Sequence, residues 1–381
     1  MPAPGTHAPK HPEAPLLTLI RERVRDAGPL TVADYMDLVL NHPLHGYYHN
    51  RDPFGGAGDF VTAPEISQLF GEMIGAWLLA SWRQLDHLAP LRLVELGPGR
   101  GQLMADVVRT IGSLSGIDTG IEIHLVESSR RLREVQRAKL KGLAVTWHDG
   151  LETVPEGPFA LIANEFFDTL PVHQLMRTDA GWAERLITSD EGGGLAFAAG
   201  DASAALRDMI PNAAMAAPGV IAEISPVRCE LARHIGDRIV QHGGVALIID
   251  YGAAVDRPTG DTLQAVRRHQ IADPLQAPGE ADLTTHVEFK SLAEAAASTG
   301  AGAFGPVPQG PFLLRLGMDQ RALSLSRNAS ERQAESLRRA CFRLTDASAM
   351  GELFKAIALA PPGMATPPGF DLPMFGEKAP A

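Results

Sequence analysis

The chain has 381 residues, 45% hydrophobic and 21% charged, with a formal net charge of -11. That is enough apolar chain to bury a core without staples, which excludes wholesale disorder. The acidic balance argues against a general binder of phosphate backbones, so no nucleic-acid partner is expected.

Length allows one large α/β domain with appendages, or two domains. Cys229 and Cys341 stand far apart with no CxxC, so neither a disulfide framework nor a zinc knuckle is available. No stretch of 18 apolar residues occurs, so no membrane span is expected. Residues 1–15, rich in Pro, His and Ala, read as a disordered leader with no signal-peptide pattern. A cytoplasmic location is the expectation from that.

Leu16–Arg25 is amphipathic at helical spacing, and a second helix is predicted over Thr31–Leu40, with Thr31 and Asp34 placed for a capping box. Residues 41–60 form a long loop rich in glycine, with Tyr47 and Tyr48 adjacent. A loop of that length in a compact domain is usually functional, and a lid anchored by Asp59 and Thr62 is one reading; plain turn chemistry and aromatic packing is the other. Thr62 then reads as the N-cap of a helix with Glu65 at its third position and one apolar stripe from Ile66 to Leu78. From Leu91 onward strands and helices alternate: strands at Leu91–Leu96, Ile121–Glu127, Leu143–His148, Phe159–Ala163 and Val245–Tyr251, with helices between them. Alternation of this kind implies βαβ units in a doubly wound, largely parallel sheet. Val172–Phe197 reads as hairpin pieces. The predicted organisation is a helical or lid region at 16–90, a cofactor-binding core at 91–171, an inserted hairpin or substrate region at 172–222, a second half of the core at 223–360, and a Pro-rich tail at 361–381.

The sharpest motif is Glu95-Leu-Gly97-Pro-Gly99-Arg-Gly101, between a strand and a helix. Glycines there make a tight turn and let the backbone approach a ligand. It is not the dinucleotide fingerprint, because position 102 is Gln. A carboxylate two residues before the glycines repels a pyrophosphate but suits a ligand bearing an ammonium group. S-adenosylmethionine is such a ligand. Glu95 is placed to face its ammonium, Glu127 at the next strand end to accept its ribose hydroxyls, and Asp149 after the third strand to accept from its adenine amine. Singly, Glu127 also fits a solvated strand-end acid and Asp149 a turn residue.

The fourth strand ends in Asn164-Glu165-Phe-Phe-Asp168. Two carboxylates three apart can hold a guanidinium or ammonium acceptor and take its proton. The rival reading is a capped helix start. Asn164 is placed with the cofactor. Tyr47, Tyr48, Asp250, His269 and His286 are substrate-region candidates. No metal is expected, since the His269–Glu288 spacing matches no standard zinc pattern.

Together HPLHGYY, GDFVTAPEISQLFGE, VELGPGRGQL, NEFFDTLPV, IDYG, GDTLQAVRRHQ, PGEADLTTHVEF and MGELFKAIAL, spread over about residues 16 to 360, resemble the MidA-like methyltransferases. That family includes a mitochondrial complex I assembly factor with protein arginine methyltransferase activity. The resemblance implies a class I methyltransferase with a Rossmann-like, seven-stranded sheet, S-adenosyl-L-methionine as cofactor and a protein partner, a complex I core subunit in the mitochondrial member. It also implies that Gly97, Gly99 and Gly101 form the cofactor loop, that Glu127 is the ribose acid, and that Glu165 and Asp168 belong to the family's NEFFD segment. The rival readings are a non-catalytic assembly chaperone, a nucleotide-dependent oxidoreductase and a small-molecule methyltransferase.

Overall fold

The computed structural model describes residues 14–50, 62–85, 90–115, 120–255, 257–258 and 260–371. The expected lid anchor Asp59 and most of the expected leader lie outside these residues. The predicted strands assemble into one sheet. Leu91–Leu96 (β1), Ile121–Val126 (β2), Val145–His148 (β3), Phe159–Asn164 (β4) and Gly244–Ala253 (β5) run parallel. Two strands that sequence reasoning leaves unassigned complete it: Gly302–Pro308 (β6) and Phe354–Ala360 (β7), the latter antiparallel to both its neighbours. The order is β6-β7-β5-β4-β1-β2-β3, and the two-residue strand Val287–Glu288 adds an eighth, parallel to the end of β5 and off this path. This is the expected doubly wound sheet. Its connections reverse direction between β1 and β4, and open α/β sheets bind ligands at the carboxyl ends of strands beside such a reversal.

Parallel strands buried on both faces need apolar side chains on both, and the alternation of strand side chains sorts them. Ala160 and Ile162 of β4, with Val245, Leu247 and Ile249 of β5, face one helix layer. Leu161 and Ala163, with Ala246 and Ile248, face the other. The first layer holds the helices Gln68–Arg83 and Gln102–Ser115; the second holds Pro226–His242 and Phe289–Ala297. Gly71 lets the first two helices close on each other, since a Cβ there would lie 2.4 Å from Cβ of Asp106.

The predicted hairpin region is an antiparallel sheet in which His173–Thr178 and Gly181–Ser189 pair with Ile221–Ile224, Leu195–Asp201 and the short strand Leu30–Thr31. The N-terminal helices Pro15–Ala27 and Val32–Asn41 share a core with it through Leu16, Ile20, Tyr35, Leu40, Val172 and Ile187. Thr31 caps its helix as expected, accepting from the Asp34 N–H at 3.0 Å.

One predicted helix is two. Residues 62–78 do not run on from a Thr62 cap; Thr62 makes no capping bond with its side chain. A single turn, Ala63–Ile66, ends at Ser67, whose extended backbone starts a new helix and whose hydroxyl accepts from Leu69 N–H at 3.2 Å. The break turns the single turn away from the core helix and brings Thr62, Pro64 and Glu65 to the edge of the cavity described next.

Candidate functional site

A cavity of about 500 Å³ opens at the carboxyl ends of β1, β2 and β4. Its floor is the turn after β1. Gly97, Gly99 and Gly101 have φ of 60°, 52° and 78°, the left-handed region that glycine enters without penalty. At Gly97 there is also no room, because a Cβ would meet the ring of Phe166 at 2.6 Å. Gly97 and Gly99 line the cavity, while Gly101 stands behind it, its N–H donating to Pro98 O at 2.7 Å to close the turn.

Strand-end acids converge on this floor. Glu95 is 3% exposed and its Oε2 has no hydrogen-bond partner among the described residues. Burial, then the nearby Glu127 charge, pushes its pKa up to about 8. Glu127 ends β2. Its Oε1 accepts from Ser129 N–H at 2.8 Å and its Oε2 from Gln136 at 3.1 Å. Burial raises its pKa to about 7 against those bonds. Asp149 lies at the rim, its side chain 86% exposed and one oxygen held by Arg133 at 2.5 Å.

The segment after β4 makes the opposite wall. Glu165 takes a left-handed φ of 51°, uncommon without glycine. Its Oε1 accepts from Ala63 N–H and from Asn164 Nδ2, both at 3.0 Å. Burial lifts its pKa to about 7, with the neighbouring Asp168 adding to the shift. Asp168 is 4% exposed, and its Oδ1 is without a partner among the described residues. Burial raises its pKa to about 6, opposed by a hydrogen bond from Tyr251 and by the Arg228 charge. Asn164 also presents an Oδ1 with no partner among the described residues. Tyr48 closes one side, its hydroxyl donating to Asp282 at 2.9 Å and its carbonyl accepting from Ser129 Oγ at 2.8 Å.

A model of the family described as "Putative S-adenosyl-L-methionine-dependent methyltransferase" matches residues 73–307. The "Protein arginine methyltransferase NDUFAF7 homolog, mitochondrial" of Drosophila melanogaster is 37% identical over 370 residues, covering 90% of this chain and 84% of that protein. The human "Protein arginine methyltransferase NDUFAF7, mitochondrial" is 34% identical, covering 94% and 86%. A Burkholderia thailandensis protein solved with S-adenosyl-homocysteine bound superposes with a TM-score of 0.79 at 28% identity, covering 93% of each chain.

The chain belongs to this methyltransferase family. Its cofactor is therefore S-adenosyl-L-methionine and its fold the class I methyltransferase sheet, which disposes of the oxidoreductase reading. The cytoplasmic location expected from the sequence is overturned, since these relatives are mitochondrial by name.

Within the methyltransferase, several expected site residues stand elsewhere. Asp250 points away from the cavity: it is 0% exposed, and its carboxylate accepts from the N–H groups of Phe166, Asp168 and Tyr251 at 3.2, 3.1 and 2.9 Å. It holds the Glu165–Asp168 turn from beneath. Tyr47 is fully buried in the N-terminal core, edge-on to Tyr48. His269 is exposed on the tip of a hairpin, where it and Arg268 both take left-handed φ. His286 packs edge-on against Tyr251 and borders a smaller pocket behind the cavity wall. The inserted sheet at 172–222 gives the cavity no lining residue among those described; Gln264, Val266, Asp282 and Thr284 do so instead, from a small antiparallel sheet of Gln264–Arg267, Gln270–Ala272 and Asp282–Thr284.

Two supporting residues escape sequence reasoning. Gln136 is fully buried and donates to Gly99 O at 2.8 Å as well as to Glu127. Arg228, 4% exposed, donates to the carbonyls of Asp168, Leu170 and His286 and to Thr285 Oγ1. Both sit on helices whose outward pattern hides them. The only hint is a polar residue at an apolar helical position, and Gln136 falls four residues after Leu132.

Proposed function

We propose that the enzyme transfers a methyl group to an arginine of a protein substrate, a core subunit of respiratory complex I by family resemblance. The observation that carries the arginine reading is the pair of buried acids, Glu165 and Asp168, with pKa raised to about 7 and about 6, on the wall facing the glycine turn. The relatives' names, protein arginine methyltransferases, support it.

The residues fit the cofactor. Glu95 Oε2 is a buried acceptor with no partner of its own, which an ammonium group would supply. The backbone of Gly97 and Gly99 lies open along the floor, and Glu127 stands where a ribose diol would be held. Asp149 at the rim is the proposed partner of the adenine amine. S-adenosyl-L-methionine, when bound, supplies an electrophilic methyl on a sulfonium.

The chain's residues do the rest. A guanidinium keeps its proton at neutral pH and is then a poor nucleophile. Glu165 and Asp168 hold its N–H groups and fix its approach, which is where most of the rate comes from. A carboxyl with a pKa near neutrality suits a general base, and Asp168 Oδ1, unpartnered among the described residues, can accept the proton. The test is methyl incorporation into substrate protein, located by mass spectrometry, for wild type and Glu165→Gln. Methylarginine lost in a variant that still binds S-adenosyl-homocysteine is expected. Methylation of lysine would remove the arginine reading, and unchanged turnover by the variant would remove Glu165 from the mechanism.

A further inference from the structure

A second groove, of about 730 Å³, runs outward from the cavity, and the two share Pro64, Glu65, Arg100 and Gln102 as lining. One side is the junction of the two helices at Ile66, Ser67 and Gln68; the other is the helix Arg130–Lys139, through Val135, Ala138 and Lys139. That helix is the basic exception in an acidic protein. Between 130 and 141 the chain carries Arg130, Arg131, Arg133, Arg137, Lys139 and Lys141 against Glu134 alone. Arg133 is held by Asp149, and Arg137 lies over the ring of Trp147. Arg131, Val135 and Lys139 are four residues apart in succession and so share one face. Arg100, 40% exposed in its side chain, stands across the groove near Glu65.

The charges therefore change sign along one continuous path. Inside the cavity the walls are Glu95, Glu127, Glu165, Asp168 and Asp282; Glu65 and Arg100 face each other at the passage; beyond it the groove is lined by Lys139, with Arg131 two turns along the same helix face. We propose that the groove seats the polypeptide flanking the methylated side chain of a protein substrate and selects acidic residues there. The inference rests on the protein-arginine reading above. The cavity takes one cation, and the groove takes the acids beside it. General electrostatics would favour the opposite: with a net charge of -11 the protein as a whole attracts basic peptides. A preference for acidic flanks can come only from a local basic surface.

The experiment uses two synthetic peptides, each with one central arginine in a Gly/Ser background, flanked by glutamates in one and by lysines in the other. Binding is read by fluorescence anisotropy in the presence of S-adenosyl-homocysteine, and methyl transfer separately from labelled S-adenosyl-L-methionine. The glutamate peptide is expected to bind about tenfold more tightly, with the margin shrinking as salt rises. The double reversal Arg131→Glu, Lys139→Glu is expected to abolish that margin while S-adenosyl-homocysteine binds as in wild type, since neither residue lines the cavity. Equal binding of the two peptides, or a margin untouched by the double reversal, overturns the groove assignment. A retained margin with no methyl transfer to either peptide supports the groove and instead overturns the arginine reading.

Discussion

The indole of Trp147 donates to Gln136 Oε1 at 2.8 Å, and this decides which way a buried amide points. An indole N–H can only donate, so the oxygen of Gln136 must face it. Both amide hydrogens are then left for Gly99 O and Glu127 Oε2. One side chain thus ties the glycine turn to the acid proposed for the ribose. Gln136→Leu is expected to weaken S-adenosyl-homocysteine binding at least about tenfold, the loss of one or two buried hydrogen bonds. Trp147→Phe should do less, because the amide stays. Calorimetric titration checks both, and wild-type affinity in Gln136→Leu would sink the role given to it.

The turn after β1 gives a steric prediction. Gly97→Ala places a methyl against Phe166 and adds a left-handed penalty of about 1–2 kcal/mol. Phe166 must swing into the cavity to make room. Cofactor binding is expected to be lost while the far-ultraviolet dichroism of the sheet is kept. A variant that binds as wild type would mean the floor of the cavity is not where the ligand lies.

The buried acids predict a pH dependence of stability. Glu95, Glu127, Glu165 and Asp168 have pKa near 8, 7, 7 and 6 in the folded protein, above their ordinary values. Between about pH 4 and pH 8 the folded state therefore holds more protons than the unfolded chain, and by linkage stability falls as pH rises through that window. Glu95→Gln removes the largest contributor. Without cofactor, that variant is expected to gain a few degrees of Tm over wild type at about pH 8.5 and nothing at about pH 5. It should bind cofactor more weakly at both. Parallel melting curves across the range would contradict the assignment of a neutral, buried Glu95.

Asp250 and Arg228 support the Glu165–Asp168 turn from two directions, by acceptance and by donation. Asp250→Asn presents N–H to N–H on one side of that turn. It is expected to lower kcat about 100-fold or more with little change in cofactor affinity, because a misplaced base costs rate more than binding. Arg228→Met leaves several buried carbonyls unpaired and is expected to cost about 2–4 kcal/mol of stability. Equal losses of kcat and cofactor binding in Asp250→Asn would point to general unfolding instead.

The first half of the sheet was legible because each strand is a short apolar run ended by a polar or glycine-rich turn, as at Leu96–Gly97 and Val126–Glu127. Placing acids at those ends then follows from topology alone, which is why Glu95, Glu127 and Glu165 come out together. β7 escaped because Phe354–Ala360 follows Met350–Leu353 without a break, and its apolar run reads as well for a helix. Strand Asp282–Thr284 has three residues, too few for any periodicity to show. Asp250 was misplaced for a different reason. It does lie on the ligand edge of β5, but the N–H groups of a neighbouring turn take its carboxylate, and no local pattern reports a partner 82 residues away.

Tyr48 belongs to both ends of the cavity at once. Its carbonyl is fastened to Ser129, next to the proposed ribose acid, and its hydroxyl to Asp282 on the acceptor side. A ligand that shifts the Tyr47–Asn50 helix at one end changes what the other end presents. Whatever such a coupling contributes to the affinity of the first ligand for the enzyme, it contributes equally to that of the second. The ratio of acceptor affinities with and without S-adenosyl-homocysteine measures that coupling, and it is expected to move toward one in Tyr48→Phe, which loses the bond to Asp282.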